Sequence, residues 1–335
     1  MRIEDYRFEL VTPIGVNLGI LEGIETGGRL TGNVNAQTRW SAQLTYHGDI
    51  SKTDWYKYRI KIIAIIDEVE YPLGVYVVRG GEERKTEHGN TITLDLYDKT
   101  FIPASDAVED TYTVQEGTNI GTAIRALLVS TGETNFILDT ISQTANSALV
   151  WEAGTSKLRI INDLLDACGY MALWCDWQGT YRLTPYLPPK SRPVAYKFTQ
   201  TPTAIHLPDF TRTQEAKIPN KIICISQESG DQPAMRAVAV NEAPDSPYSF
   251  QNQGVWVAET HKGVEAASQQ VLNDTANRLL ASATVSATLK RQMALTPLEL
   301  NAVCVNSMGG REVIENIDIT LTPAELMNIT TREVN

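Results

Sequence analysis

The chain has 335 residues, 42% hydrophobic and 21% charged, proportions that exclude a disordered chain and leave room for two or three domains. Its net charge of −11 contains no basic block, which argues against tight binding of nucleic-acid phosphates. No apolar run approaches the roughly 20 residues that cross a bilayer, and Met1-Arg2-Ile3-Glu4-Asp5-Tyr6 lacks the apolar stretch of a signal peptide, so the expectation is a soluble, unexported chain with no membrane partner.

Residues 1–104 predict a first antiparallel β-barrel domain. Thr26-Gly27-Gly28-Arg29 lies between two alternating segments and predicts a hairpin turn. From Tyr56 to Ile66, residues Tyr56, Tyr58, Ile60, Ile62, Ala64 and Ile66 alternate with Lys57, Arg59 and Lys61, which predicts one packed face and one wet face. Asp67-Glu68 turns the chain, Pro72 and Gly74 punctuate, and Val75 to Val78 and Ile92 to Leu96 follow as strands.

Residues 105–200 change character and predict an α/β insert of two helices and a hairpin. Thr118 is the expected cap of a helix carrying Ile120, Ala123, Ile124, Leu127 and Leu128, stopped by Gly132. Thr155 or Ser156 caps a second helix, whose apolar face is Leu158, Ile161, Leu164, Leu165 and Cys168 and whose stop is Gly169. The hairpin runs from Tyr170 to Tyr186 around Trp177-Gln178-Gly179. Residues 201–335 return to β and predict a second small barrel domain with one long helix. Ile218–Ser226 and Met235–Val240 are expected to pair, a helix is expected from Val264 to Leu280, and strands at Thr284–Leu289, Leu300–Val305 and Val313–Leu321. The fold class expected is therefore α+β, mainly β.

A search for chemistry finds little. His47, His88, His206 and His261 stand apart from one another and from any cysteine at metal-ligand spacing. Cys168, Cys175, Cys224 and Cys304 are too scattered for a disulfide framework and read as buried thiols. Gly117-Thr118-Asn119-Ile120-Gly121 lacks the Gly-Lys-Ser/Thr ending of a phosphate loop and reads as a helix entry. Asp163 and Asp166 are neighbours on a helix surface and read as a hydrated flank. Asp106, Glu109, Asp110 and Glu116 form an acidic loop without the alternating ligands of an EF-hand. No catalytic residue, metal ligand or cofactor follows from these, and the chain reads as no enzyme. Trp151, Trp174 and Trp177 gather around the central hairpin, where they could fill a core or subunit interface or stack on sugar rings.

A series of segments carries a resemblance. Asp54-Trp55-Tyr56-Lys57-Tyr58-Arg59-Ile60, Tyr71-Pro72-Leu73-Gly74-Val75-Tyr76 and Leu96-Tyr97-Asp98-Lys99 are followed by Gly117-Thr118 and Ala123-Ile124-Arg125-Ala126-Leu127-Leu128. Ile160-Ile161-Asn162-Asp163-Leu164-Leu165-Asp166-Ala167-Cys168-Gly169-Tyr170, Asp176 to Gly179 and Ile218-Pro219-Asn220-Lys221-Ile222 complete the series. In this order they resemble minor tail proteins of long-tailed phages, actinobacterial ones in particular, and the broader tail-hub (baseplate-hub) family. The resemblance implies a structural virion protein at the tail tip, assembled in the host cytoplasm. It implies a homotrimer with two tube-like barrels per subunit. Its implied neighbours are the tail-tube or distal tail protein, tip or fibre proteins and the tape-measure protein. DNA would transit the central hole without specific binding. The rival reading is a carbohydrate-binding, host-recognition module using the tryptophans.

Overall fold

The computed structural model describes residues 2–48, 53–86, 89–137, 141–198, 206–213, 218–226, 234–264, 266, 269–283 and 287–334. The chain forms two compact units. One comprises residues 1–209, 291–304 and 314–330, the other residues 210–290, 305–313 and 331–335.

The first unit begins with seven strands: β1 (Glu4–Val11), β2 (Asn17–Ile20), β3 (Gly28–Asn33), β4 (Trp40–His47), β5 (Arg59–Ile66), β6 (Val69–Thr86) and β7 (Gly89–Asp98). They pair antiparallel in the order β3-β4-β7-β6-β5-β1-β2. The β5–β6 hairpin turns at Asp67 and Glu68, both at positive φ (49° and 68°), the primed-turn geometry that matches strand twist. Ile60, Ile62 and Ala64 face the core as their alternation requires. Three expectations are corrected. Tyr56 to Tyr58 is a turn, because the Asp54 carbonyl accepts the N–H groups of Lys57 and Tyr58 and curls the chain before the strand starts. The face of β5 expected to be wet is covered in part: Arg59 and Ile63 are buried and Lys61 is half-buried. Thr26 to Arg29 is no hairpin either: β2 pairs with β1, and β3 with β4, so the segment only carries the chain between separate places in the sheet.

The insert follows as α1 (Phe101–Ser105), β8 (Tyr112–Val114), α2 (Ile120–Ser130), β9 (Phe136–Ile137), β10 (Leu149–Trp151), α3 (Lys157–Ala167), β11 (Trp174–Cys175) and β12 (Tyr181–Arg182). The cap of α2 is Asn119 rather than Thr118, its side chain accepting from the Thr122 N–H, and Ser156 does the same for α3 from Arg159. Gly169, at φ 73°, turns the chain out of α3 in the left-handed conformation. The apolar faces of the two helices meet in a core of Ile124, Leu128, Leu158, Ile161, Leu164 and Leu165, to which the hairpin adds Leu173, Tyr181 and Leu183. The hairpin pairs as expected, Trp174 opposite Arg182 and Cys175 opposite Tyr181, and β12 runs parallel to β9. A further strand, β13 (Val194–Lys197), leaves the insert.

Next come β14 (His206–Thr213) and then β15 (Lys221–Ser226), β16 (Arg236–Val240), α4 (Phe250–Gln253), β17 (Ala258–Val264) and α5 (Gln269–Ala283). In the second unit β15 pairs antiparallel with β16, as expected, and parallel with β17. Ile222, Cys224, Ala237 and Ala239 pack under Leu272 and Ala276 of α5. Val264, expected in the helix, ends β17 instead, while Ala267 and residues 284–286 lie outside the described residues.

The chain closes with β18 (Thr288–Ala294), β19 (Val303–Val305), β20 (Arg311–Leu321) and β21 (Leu326–Val334), the last of which the alternation pattern missed. In the first unit β20 adds beside β3, Ile319 opposite Leu30, and β21 lies next to β20. One core joins Phe8 of β1 with Leu30, Leu44, Leu96, Ile317, Ile319 and Met327, so the sheet curls until strands far apart in its order share a single interior. Curling stops short of closure. Among the described residues no sheet closes into a barrel: β2 pairs only with β1, and the sheet of β16, β15 and β17 has too few strands to close.

Candidate functional site

A buried polar node seats the insert on the sheet of the first unit. Lys99, directly after β7, is 3% exposed and pairs through Nζ with Glu133 at 2.5 Å. It also donates to the Gly179 carbonyl at 3.1 Å and lies 4.9 Å from the Tyr181 ring centroid. The Tyr181 hydroxyl donates back to the Lys99 carbonyl at 2.6 Å. Arg59 on β5 adds a second, longer pair with Glu133 at 3.8 Å, and burial lowers the pKa of its guanidinium although Glu133 opposes that. One residue before Lys99, Asp98 accepts from the Trp40 N–H at 2.8 Å, from the Thr100 N–H at 2.7 Å and from the Thr100 hydroxyl. Burial nonetheless outweighs these bonds and raises the Asp98 pKa. Gly179 is required at this junction: it sits at φ 72°, and a Cβ there would meet Val75 Cβ at 2.7 Å.

The tryptophans lie around this junction in different surroundings. Trp177 packs on Trp40, ring centroids 4.5 Å apart and tilted by 50°, and its buried Nε1 has no hydrogen-bond partner among the described residues. Trp174 donates from Nε1 to Thr184 Oγ1 at 3.1 Å. Both line a small cleft with Arg39, Trp40, Cys175, Glu299 and Leu300. In that cleft burial lowers the Arg39 pKa, and burial with the Asp176 charge raises that of Glu299. Trp151 is not part of it. Its ring lies 6.2 Å from Tyr112, and its Nε1 donates to Asp163 Oδ2 at 2.9 Å, which gives that carboxylate a structural partner. Pattern reading missed Trp40, Lys99, Glu133 and Glu299; the one available signal was the run Asp98-Lys99-Thr100, three polar residues closing an apolar strand.

An edge strand supplies a second candidate surface. Ile14, Val16, Leu18 and Ile20 are 72%, 53%, 48% and 63% exposed, and alternate along the turn and strand that lead from β1 through β2. No charged residue lies between Pro13 and Leu21. Elsewhere, His47 faces Glu25 at 2.9 Å and His261 faces Glu259 at 3.1 Å, His88 lies outside the described residues, and Cys175, Cys224 and Cys304 are buried with Cys168 partly so. Among the described residues no group of three or more His, Cys, Asp or Glu could hold a metal ion, and no helix is long and apolar enough to cross a membrane.

No protein-family model matches the sequence, and a search of curated proteins finds no relative. Solved structures do match. A tail protein of Neisseria meningitidis superposes with a TM-score of 0.70 at 11% identity, covering 99% of this chain and 97% of that one. The 43 kDa tail protein of prophage MuSo2 from Shewanella oneidensis gives 0.64 at 11% identity, covering 97% and 98%. A type VI secretion component of E. coli, described as structurally similar to the T4 tail proteins gp27 and gp5, gives 0.55 at 8% identity over 92% and 73%. The chain has the fold of these tail proteins along nearly its whole length.

Proposed function

We propose that the chain is a structural subunit of a phage-type tail hub. The observation that carries this reading is a fold shared end to end, 99% of this chain against 97% of a tail protein. The finer reading is a homotrimeric ring at the tail tip that joins the tail tube to tip or fibre proteins, with tape-measure protein and then DNA passing through the hole. Sheets left open within one chain support it, because a wall built from several copies closes between copies. The exposed, uncharged β2 edge supports it too: copies that each carry −11 repel one another except where charge is absent. The same acidity suits a passage whose lining must not hold DNA phosphates.

For Trp174 and Trp177 we favour packing over glycan binding, since Trp40 already lies against Trp177 and Thr184 already takes the Trp174 N–H. Light scattering on a chromatography column, across a concentration series up to tens of micromolar, tests the assembly. A mass near three chains supports the reading, and a single-chain mass throughout counts against it.

A further inference from the structure

Among the described residues, one face of the β15–β16–β17 sheet is half-buried along β15 and exposed along β16 and β17. α5 packs on the face holding Ile222, Cys224, Ala237 and Ala239. Strand register places the remaining residues on the opposite face in three rows: Val240, Lys221 and Ala258; Val238, Ile223 and Thr260; Arg236, Ile225 and Lys262. Val238, at the middle, is 47% exposed. In a chain with 40 acidic and 29 basic residues, this face carries three cations and no carboxylate. Arg236 and Lys262 have no ion-pair partner among the described residues, while the Lys221 ammonium lies 4.0 Å from the centroid of the Trp256 ring.

A surface of opposite character sits on the insert. The antiparallel β8–β10 strand pair turns Val114 and Leu149 toward the insert core and presents Val150, 60% exposed, on its other side. Glu109, Asp110, Glu116 and Glu152 flank these two strands in sequence; all four are exposed, and none has an ion-pair partner among the described residues. Both surfaces thus have an apolar centre and unpaired charge at the margin, one basic and one acidic.

We propose that this cationic sheet face of one copy receives the acidic β8–β10 strand pair of a second copy, head to tail, with Val150 set against Val238 and Ile223 and the carboxylates meeting Arg236 and Lys262. The proposal rests on the ring reading above and gives it a contact. The two patches differ, so the contact is heterologous and can repeat around an axis until a ring closes. Opposite charge at the margin steers encounter between chains whose net charges repel. Single-stranded nucleic acid fits the face less well, because the aromatic group that could stack on a base is taken: Trp256 lies 4.4 Å from Phe250 at 15° and under Lys221.

Charge reversal on the full-length chain, read by sedimentation equilibrium, tests this. Arg236→Glu with Lys262→Glu is expected to weaken self-association by about tenfold or more, and Glu109→Lys with Asp110→Lys to do the same. All four changes in one chain restore an attractive pair at every contact and are expected to recover most of the loss. Reversals on either side that leave association within about twofold of wild type, or a four-fold variant that stays as weak as the doubles, would overturn the contact while leaving the hub reading intact. A wild-type chain that never self-associates would instead remove the hub reading itself. Binding of a 20-nucleotide single strand by wild type, lost in Arg236→Glu with Lys262→Glu while association is unchanged, would reassign the face to nucleic acid.

Discussion

Lys99 concentrates the logic of the fold in one side chain. Its ammonium is 3% exposed and holds Glu133 and the Gly179 carbonyl, both contributed by the insert, from the end of a sheet strand. Removing one partner of a buried pair strands the other charge, so Lys99→Met is expected to cost about 3–5 kcal/mol in urea denaturation. Replacing both, Lys99→Met with Glu133→Leu, should return much of that, because no isolated charge is then left. Loss of the same magnitude in the double variant would show that the packing, not the charge, holds the insert. Glu299 gives a pH signature. Burial and Asp176 raise its folded pKa, so the ionised carboxylate is disfavoured in the native state. Its contribution is therefore most favourable below the ordinary glutamate range near 4.3 and is lost as pH rises through the raised folded value. Glu299→Gln should gain in denaturation midpoint relative to wild type between pH 4 and pH 8; a difference that does not vary with pH contradicts this. Neither residue was legible from periodicity, which registers alternation of apolar and polar groups and is silent on a charge buried against a partner far along the chain.

At the scale of elements, local signals and tertiary ones separate cleanly. α3 was readable from its apolar stripe at helical spacing and its left-handed glycine, while the choice of Ser156 over Thr155 as cap and the burial of Ile160 came from the structure. Ser156→Ala should cost about 1 kcal/mol, seen in thermal or urea unfolding, and an unchanged midpoint would mean that the cap is idle. The strand β5 was legible by period, but the burial of Arg59 was not, since its partner Glu133 belongs to an insert that follows the strand in sequence. Likewise Thr26 to Arg29 has hairpin chemistry, and only the partners of β2 and β3 show that it joins separate places in the sheet. The edge strand β2 makes its own prediction. Val16 and Leu18 are about half exposed and outside the buried core, so Val16→Glu with Leu18→Glu should leave the unfolding midpoint nearly unchanged while weakening self-association. A large fall in stability would place these residues in the monomer's own packing.

For the whole molecule, the sequence carried the mainly β character, the helical insert and the likeness to tail proteins, and solved tail proteins share the fold across nearly the full chain at 11% identity. Barrel closure was beyond it. Alternation says that a strand has two faces, but whether the last strand meets the first depends on long-range pairing, and here the sheets stay open among the described residues. The proposed completion by further copies rests on sheets left open among the described residues, an uncharged edge and two patches of opposite charge. Negative-stain images of the purified chain at high concentration test that most directly. The account predicts threefold rings with a central hole, and a field of single compact particles at every concentration would contradict it.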